Sequence, residues 1–102
     1  MLAQVSIFPL DKGEGISKYV AEAIDIIDRS GLDYRLTAMG TVLEGDWDTV
    51  MRVLKRIREK LLKQSKRVYM TIAIDDRVGE RRRRIEYKVK TVEQILGKTL
   101  KK

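Results

Sequence analysis

The apolar residues of this 102-residue chain fall in the order strand, helix, strand, strand, helix, strand, with one further helix at the end. That order predicts an α+β protein, a ferredoxin-like βαββαβ sandwich. Its four-stranded antiparallel sheet would carry two helices on one face and an extra C-terminal helix. Three features point there. Lys66–Asp75 alternates Val68, Met70, Ile72 and Ile74 against Tyr69, Thr71, Ala73 and Asp75. Two segments carry apolar residues at helical spacing. A hairpin with Gly40 at its turn joins the middle strands. Residues 1–102 are read as one domain.

Leu2–Pro9 is β-rich and reads as a buried strand, with Ala3, Val5 and Ile7 turned inward and Gln4, Ser6 and Phe8 outward. The loop Asp11–Gly15 (DKGEG) holds two glycines and lacks the Lys-Ser/Thr ending of a phosphate-binding loop. Val20, Ala23, Ile24 and Ile27 form one stripe of a helix over Ser17–Ser30. Ser17 is placed to cap its start and Gly31 to end it. Asp33–Ala38 and Gly40–Glu44 are the hairpin strands, joined at Met39-Gly40. Gly45 and Asp46 close the hairpin and cap a second helix. Its apolar face is Trp47, Val50, Met51, Leu54, Ile57, Leu61 and Leu62, with Trp47 a core or helix-start staple. After the strand Lys66–Asp75, a charged stretch over Asp76–Arg84 leads to a short helix marked by Ile85, Val89, Val92 and Leu96. The tail past Gly97 is expected to fray.

Composition narrows the chemistry. The chain has no Cys and no His, which excludes disulfides, thiolate or imidazole metal sites, Cys nucleophiles and a histidine base. Asn is absent too, and a chain rich in Lys, Arg and Glu suits a thermophile. No apolar run reaches the roughly 20 residues of a membrane helix. The apolar start, Met1–Leu10, has neither a basic leader nor a small-residue cleavage site, so the expected compartment is the cytoplasm. The net charge of +7 is unevenly spread: residues 1–50 carry 4 basic and 9 acidic groups, residues 51–102 carry 18 and 6. Such asymmetry fits a nucleic-acid surface, or two halves that attract each other within a chain or between subunits. The Arg81–Arg84 run does not favour nucleic acid. Four adjacent arginines on a helix fan around its circumference, glutamates flank them, and no RNA-binding aromatic motif accompanies them. A small-anion site at Arg67, Arg77 or Arg81 is a more modest use of these cations.

Two helices cover one side of a sheet. The other side must meet water, a ligand or a subunit. Its expected residues mix aromatic, hydroxyl, amide and carboxylate groups, which suits a subunit interface holding a ligand pocket.

Four strings carry a family resemblance: Ile7–Leu10 (IFPL), Ile16–Val20 (ISKYV), Ala38–Gly45 (AMGTVLEG) and Arg67–Arg77 (RVYMTIAIDDR). In motif order and spacing, residues 3 to about 96 resemble the thiamine-binding protein family. The resemblance implies a ferredoxin-like fold, dimers or tetramers built through the sheet, and binding of thiamine or its hydroxymethylpyrimidine part without catalysis. No cofactor, metal, membrane or nucleic-acid partner is implied.

An aminopyrimidine needs an acceptor for its amine and a donor for its ring nitrogens, and a thiazolium cation favours an aromatic face or a carboxylate. Glu44 is a candidate acceptor and Thr41 a candidate donor. Tyr69 and Phe8 are candidate stacking partners. Asp75 and Asp76 are placed to face the cation or to hold Arg77. Ser17 and Tyr19 lie where the first helix begins, near the ends of the outer strands. The ligand-binding expectation is therefore Ser17, Thr41, Glu44, Tyr69, Asp75 and Arg77. Each also has a purely structural reading: a turn for Glu44, a strand residue for Thr41, a surface ion cluster for Asp75–Arg77 and a cap for Ser17. A structural or regulatory homo-oligomer that holds another small anion, or no ligand, is the alternative function, with a basic nucleic-acid-binding protein ranked behind it. An enzyme would need a nucleophile paired with a base, and none is visible.

Overall fold

The computed structural model describes residues 1–79 and 83–102. In chain order it contains β1 (Leu2–Pro9), α1 (Ser17–Arg29), β2 (Asp33–Thr37), β3 (Gly40–Glu44), α2 (Trp47–Leu62), β4 (Val68–Asp75) and α3 (Arg84–Leu96). The strands form one antiparallel sheet in the order β2-β3-β1-β4, the ferredoxin-like arrangement expected. β1 is central. It pairs with β4 along its whole length, from Leu2↔Asp75 to Pro9↔Val68, but with β3 only over Leu2–Val5. Beyond Val5 the hairpin has already turned back, so one side of β1's second half has no strand beside it.

Side chains alternate between the faces of a strand, so the register assigns each residue a side. Ala3, Val5 and Ile7 share one face with Leu43 and Thr41, and all five are buried. α1 and α2 cover this face. Ala23 and Ile27 come from α1, and Val50, Val53, Leu54, Ile57 and Leu61 from α2. Val53 is a core residue that the helical stripe drawn from the sequence omits. Trp47 is 54% exposed. At the first position of α2 it precedes the part of the helix that meets the sheet, so it is neither core nor staple.

Other element ends follow local chemistry. The Asp46 side chain accepts from Thr49 N–H at 3.4 Å and caps α2, as expected. Gly31 takes φ +81° just past α1. Ser17 is no cap: Ile16 precedes it in αR geometry, and no side-chain hydrogen bond caps this end. The backbone is already helical at Ile16, whose carbonyl accepts from Tyr19 and Val20. Ser17 therefore falls inside the first turn. The tail does not fray freely. Gly97 adopts φ +70°, and Glu93 then accepts Leu100 N–H at 2.7 Å and pairs with Lys102 at 2.8 Å.

β4 keeps its expected faces but not the expected burial. Ile72 and Ile74 pair with Val5 and Ala3 on the helix side, yet are 39% and 40% exposed. β4 is an edge strand, and the helical layer covers Val68 and Met70 but leaves the later residues half open.

The second face is not wholly uncovered. α3 lies across it at the β3 end, where it helps to bury Leu2, the neighbour of Glu44 and Asp75 in the register.

Candidate functional site

A cavity of about 300 Å³ opens where β1 outruns the hairpin. Its walls are Ile7 and Phe8 from β1, Ile16, Val20 and Ile24 from α1 and the turn before it, and Ala38–Thr41 from the hairpin. Three of the four strings noted in the sequence thus converge on one space. It is mainly apolar, with Ser6, Thr37 and Thr41 contributing hydroxyls. A size near 300 Å³ lies at the lower end of the range for small-molecule sites.

Gly40 shapes this opening. A Cβ at Gly40 would sit 2.9 Å from the Val5 carbonyl oxygen, and its φ is +155°. Only glycine lets the hairpin approach β1 so closely. Thr37 stiffens the turn: its hydroxyl donates to the Gly40 carbonyl at 2.7 Å and accepts Met39 N–H at 3.2 Å.

Thr41 is 3% exposed and lines the cavity. Among the described residues its hydroxyl has no side-chain hydrogen-bond partner, although no buried polar side-chain atom is left without one. Thr41 is thus a nearly buried polar residue on the cavity wall. Phe8 and Tyr69 are cross-strand neighbours on the outer face, with ring centroids 5.7 Å apart and planes tilted by 39°. Phe8 reaches the cavity wall, and Tyr69 stands half exposed behind it. Ser17 follows Ile16 at the start of α1. Tyr19 packs against the core with the Lys12 and Lys18 ammonium groups each 5.8 Å from its ring.

Glu44 and Asp75 lie elsewhere, at the opposite end of the sheet. Glu44 accepts the backbone N–H groups of Arg84 at 2.9 Å and Ile85 at 3.1 Å. It thereby supplies the cap that the α3 start lacks locally, where Arg83 occupies αL geometry with φ 62°. Asp75 pairs with the Arg84 guanidinium at 2.9 Å and with Lys88 at 2.5 Å. The Lys88 and Arg84 hydrogen bonds, outweighing the effect of burial, hold its carboxyl below the ordinary 3.8. Asp75 thus joins α3 and not Arg77, so the expected Asp75–Arg77 cluster does not form. Arg77 lies exposed beyond β4. Arg84 is 7% exposed, its guanidinium also donating to the Asp75 carbonyl at 3.3 Å. Arg81, named as an anion ligand from the sequence, lies outside the described residues, as does Arg82.

The sequence therefore named two separate groups. Thr41 lines the cavity, whereas Ser17 and Tyr69 do not and only adjoin its lining residues Ile16 and Phe8. Glu44 and Asp75 form the mount of α3. The apolar wall from α1 and the shaping role of Gly40 were visible only as core and turn signals. Among the described residues, no cluster of three or more acidic side chains is arranged to hold a metal ion.

Comparison with known proteins agrees with this architecture. The UPF0045 protein MJ1052 of Methanocaldococcus jannaschii is 38% identical over 95 residues, covering 93% of this chain and 94% of that one. Its crystal structure superposes with a TM-score of 0.82 at 39% identity, covering 91% and 95% of the two chains. The UPF0045 protein Mb1933 of Mycobacterium bovis is 40% identical over 97 residues, covering 94% of each. A Thermotoga maritima protein, TM0486, described as a candidate thiamine biosynthesis/salvage protein, shares the fold at a TM-score of 0.79 and 23% identity, covering 89% and 96%. The family model for "Thiamine-binding protein" matches residues 3–93. With nearly its whole length matched, the chain belongs to the thiamine-binding protein family.

Proposed function

We propose that this protein binds thiamine, or its hydroxymethylpyrimidine portion, in the cavity between β1, α1 and the hairpin, and catalyses no reaction on it. One observation carries the reading: three family-like segments meet at one mainly apolar cavity whose wall includes the buried residue Thr41. A flat aminopyrimidine suits such a space. The Thr41 hydroxyl donates to a ring nitrogen, Ser17 offers a further hydroxyl near the mouth, and the Phe8–Tyr69 pair presents aromatic surface to the cationic ring. Glu44 and Asp75, at the opposite end of the sheet, hold α3 and take no part in this cavity.

The same reading includes self-association through the sheet to a dimer or tetramer, in the cytoplasm. Its support is the exposed surface of β4, where Tyr69, Ile72 and Ile74 stand 39–50% open on an edge strand. Among the described residues, no helix is long and apolar enough to cross a membrane.

Calorimetric titration of thiamine, then of hydroxymethylpyrimidine, tests the reading. Saturable binding at micromolar affinity or tighter (about −8 kcal/mol), weakened about tenfold in Thr41→Val, is expected. No heat with either ligand overturns it. Light scattering tests the assembly, and a monomer at micromolar concentration would refute that part.

A further inference from the structure

A second cleft lies away from the proposed thiamine cavity, on the other face of the sheet. It has a volume of about 740 Å³ and runs between α3 and the outer surface of β1, β2 and β3. It exists because α3 is held at one end only. Glu44 and Asp75 fix Arg84 and Ile85, while farther along the helix Val92, Ile95 and Leu96 remain 47%, 79% and 53% exposed. The tail, drawn back onto Glu93, brings Lys102 to the cleft wall.

The chemistry of the lining is distinctive. Leu2, Val42, Ile85 and Val89 make an apolar floor and roof. Five cationic side chains, Arg35, Arg84, Lys88, Lys90 and Lys102, face only two acidic ones, Glu86 and Glu93. Arg35 pairs with Glu86 at 3.2 Å, Lys102 with Glu93 at 2.8 Å, and Arg84 and Lys88 share Asp75. One carboxylate thus serves two cations, and Lys90, whose charge acts on Glu93 one turn away, forms no direct ion pair among the described residues. An apolar slot with surplus positive charge rejects a cation such as thiamine and suits the opposite ligand.

We propose that the cleft between α3 and the sheet is a second ligand site, which takes an amphipathic anion: a flat apolar body bearing one sulfonate, carboxylate or phosphate. The body lies between Val42 and Val89. The anionic group sits toward Lys90, where a charge-assisted contact displaces no direct ion pair and competes only with the more distant Glu93. This site is separate from the thiamine cavity, and either can exist without the other.

The test uses two fluorescent probes with similar aromatic bodies, 8-anilinonaphthalene-1-sulfonate and the uncharged N-phenyl-1-naphthylamine, titrated into the full chain. One equivalent of the sulfonate should bind, about tenfold tighter than the neutral probe, with affinity falling as salt rises. Lys90→Glu, on an exposed helix position, should weaken the sulfonate about tenfold and leave the neutral probe unchanged. Val42→Trp, which fills the floor, should abolish both, with circular dichroism checking that the fold is kept. Saturating thiamine should displace neither. Equal affinity for the two probes, an unchanged sulfonate affinity in Lys90→Glu, or displacement by thiamine would each overturn the proposal.

Discussion

The Glu44 carboxylate accepts the backbone N–H of Arg84, 2.9 Å away and 40 positions later in the chain. One side chain on β3 thus provides for α3 what a neighbouring Ser or Asp usually provides at a helix start. The same helix turn inserts the Arg84 guanidinium against Asp75 on β4. Two strands that are not neighbours in the sheet are therefore bridged across β1 by the first residue of a helix.

Removing that cap should loosen α3 and little else. In Glu44→Ala, amide hydrogens in the first turns of α3 should exchange roughly tenfold faster, while those of β1 and β3 keep their protection. Hydrogen exchange followed by NMR reads both. Unchanged exchange at α3 would mean that Arg84 and Asp75 suffice to hold it.

Acid should weaken the fold through a defined set of carboxylates. Asp11 accepts from the Ser65 hydroxyl and from Lys66 N–H at 2.8 Å; Asp46 caps α2; Asp75 and Glu93 take ion pairs. In each case those hydrogen bonds set the carboxyl below its ordinary value, 3.8 for the aspartates and 4.5 for Glu93. A folded-state pKa below the unfolded one adds stability that is fully present above the unfolded value. It is lost as pH falls through the folded value. Urea midpoints should therefore be flat from pH 7 to about 5 and fall steadily below about 4.5. A midpoint that rises on acidification would contradict these assignments.

Gly40→Ala tests the close approach of the hairpin to β1. The added methyl would meet the Val5 carbonyl, a backbone atom that cannot swing aside. A loss of about 1–3 kcal/mol in urea unfolding is expected, together with weaker ligand binding in the adjoining cavity. Full stability in this variant would show that the turn can shift without cost.

Two apolar truncations should differ in size. Leu43 is fully buried beneath both helices, so Leu43→Ala should cost about 2–5 kcal/mol. Ile72 shares that face of the sheet but is 39% exposed, so Ile72→Ala should cost roughly 1 kcal/mol in the monomer. Equal costs would show that β4 is covered in solution by something besides its own helices.

What the sequence could and could not reveal follows from the range of each signal. Alternation in β4 assigned Ile72 and Ile74 to the helix side, because side-chain direction is local. Their half exposure depends on where α1 and α2 stop and on β4 standing at an edge, which no local pattern encodes. Asp46 before Trp47 was legible as a cap because its acceptor and donor lie three residues apart. Glu44 was read as a ligand group because its partners lie at Arg84 and Ile85, across most of the chain. The Arg81–Arg84 run hid the role of its last member: Arg84 is buried against Asp75, and nothing in four consecutive arginines distinguishes it. Thr41 was legible as a polar residue in an apolar strand, but its place on a cavity wall arises from β1 extending past the hairpin.

The central position of β1 also bears on how the chain acquires its structure. β1 is the first strand in sequence, yet its longest ladder is with β4, down to the pair Leu2↔Asp75. Loop closure over so much chain is slow, and parts of a sheet made of distant pairings form late. During synthesis, Leu2–Pro9 is made before the other strands and must wait for about sixty more residues before its second neighbour begins to form. Until then this apolar strand has one open edge, which the later-made β4 normally occupies. A ribosome-stalled fragment ending before Val68 would thus hold a three-stranded sheet at best, exposed on the strand that becomes the centre of the finished protein.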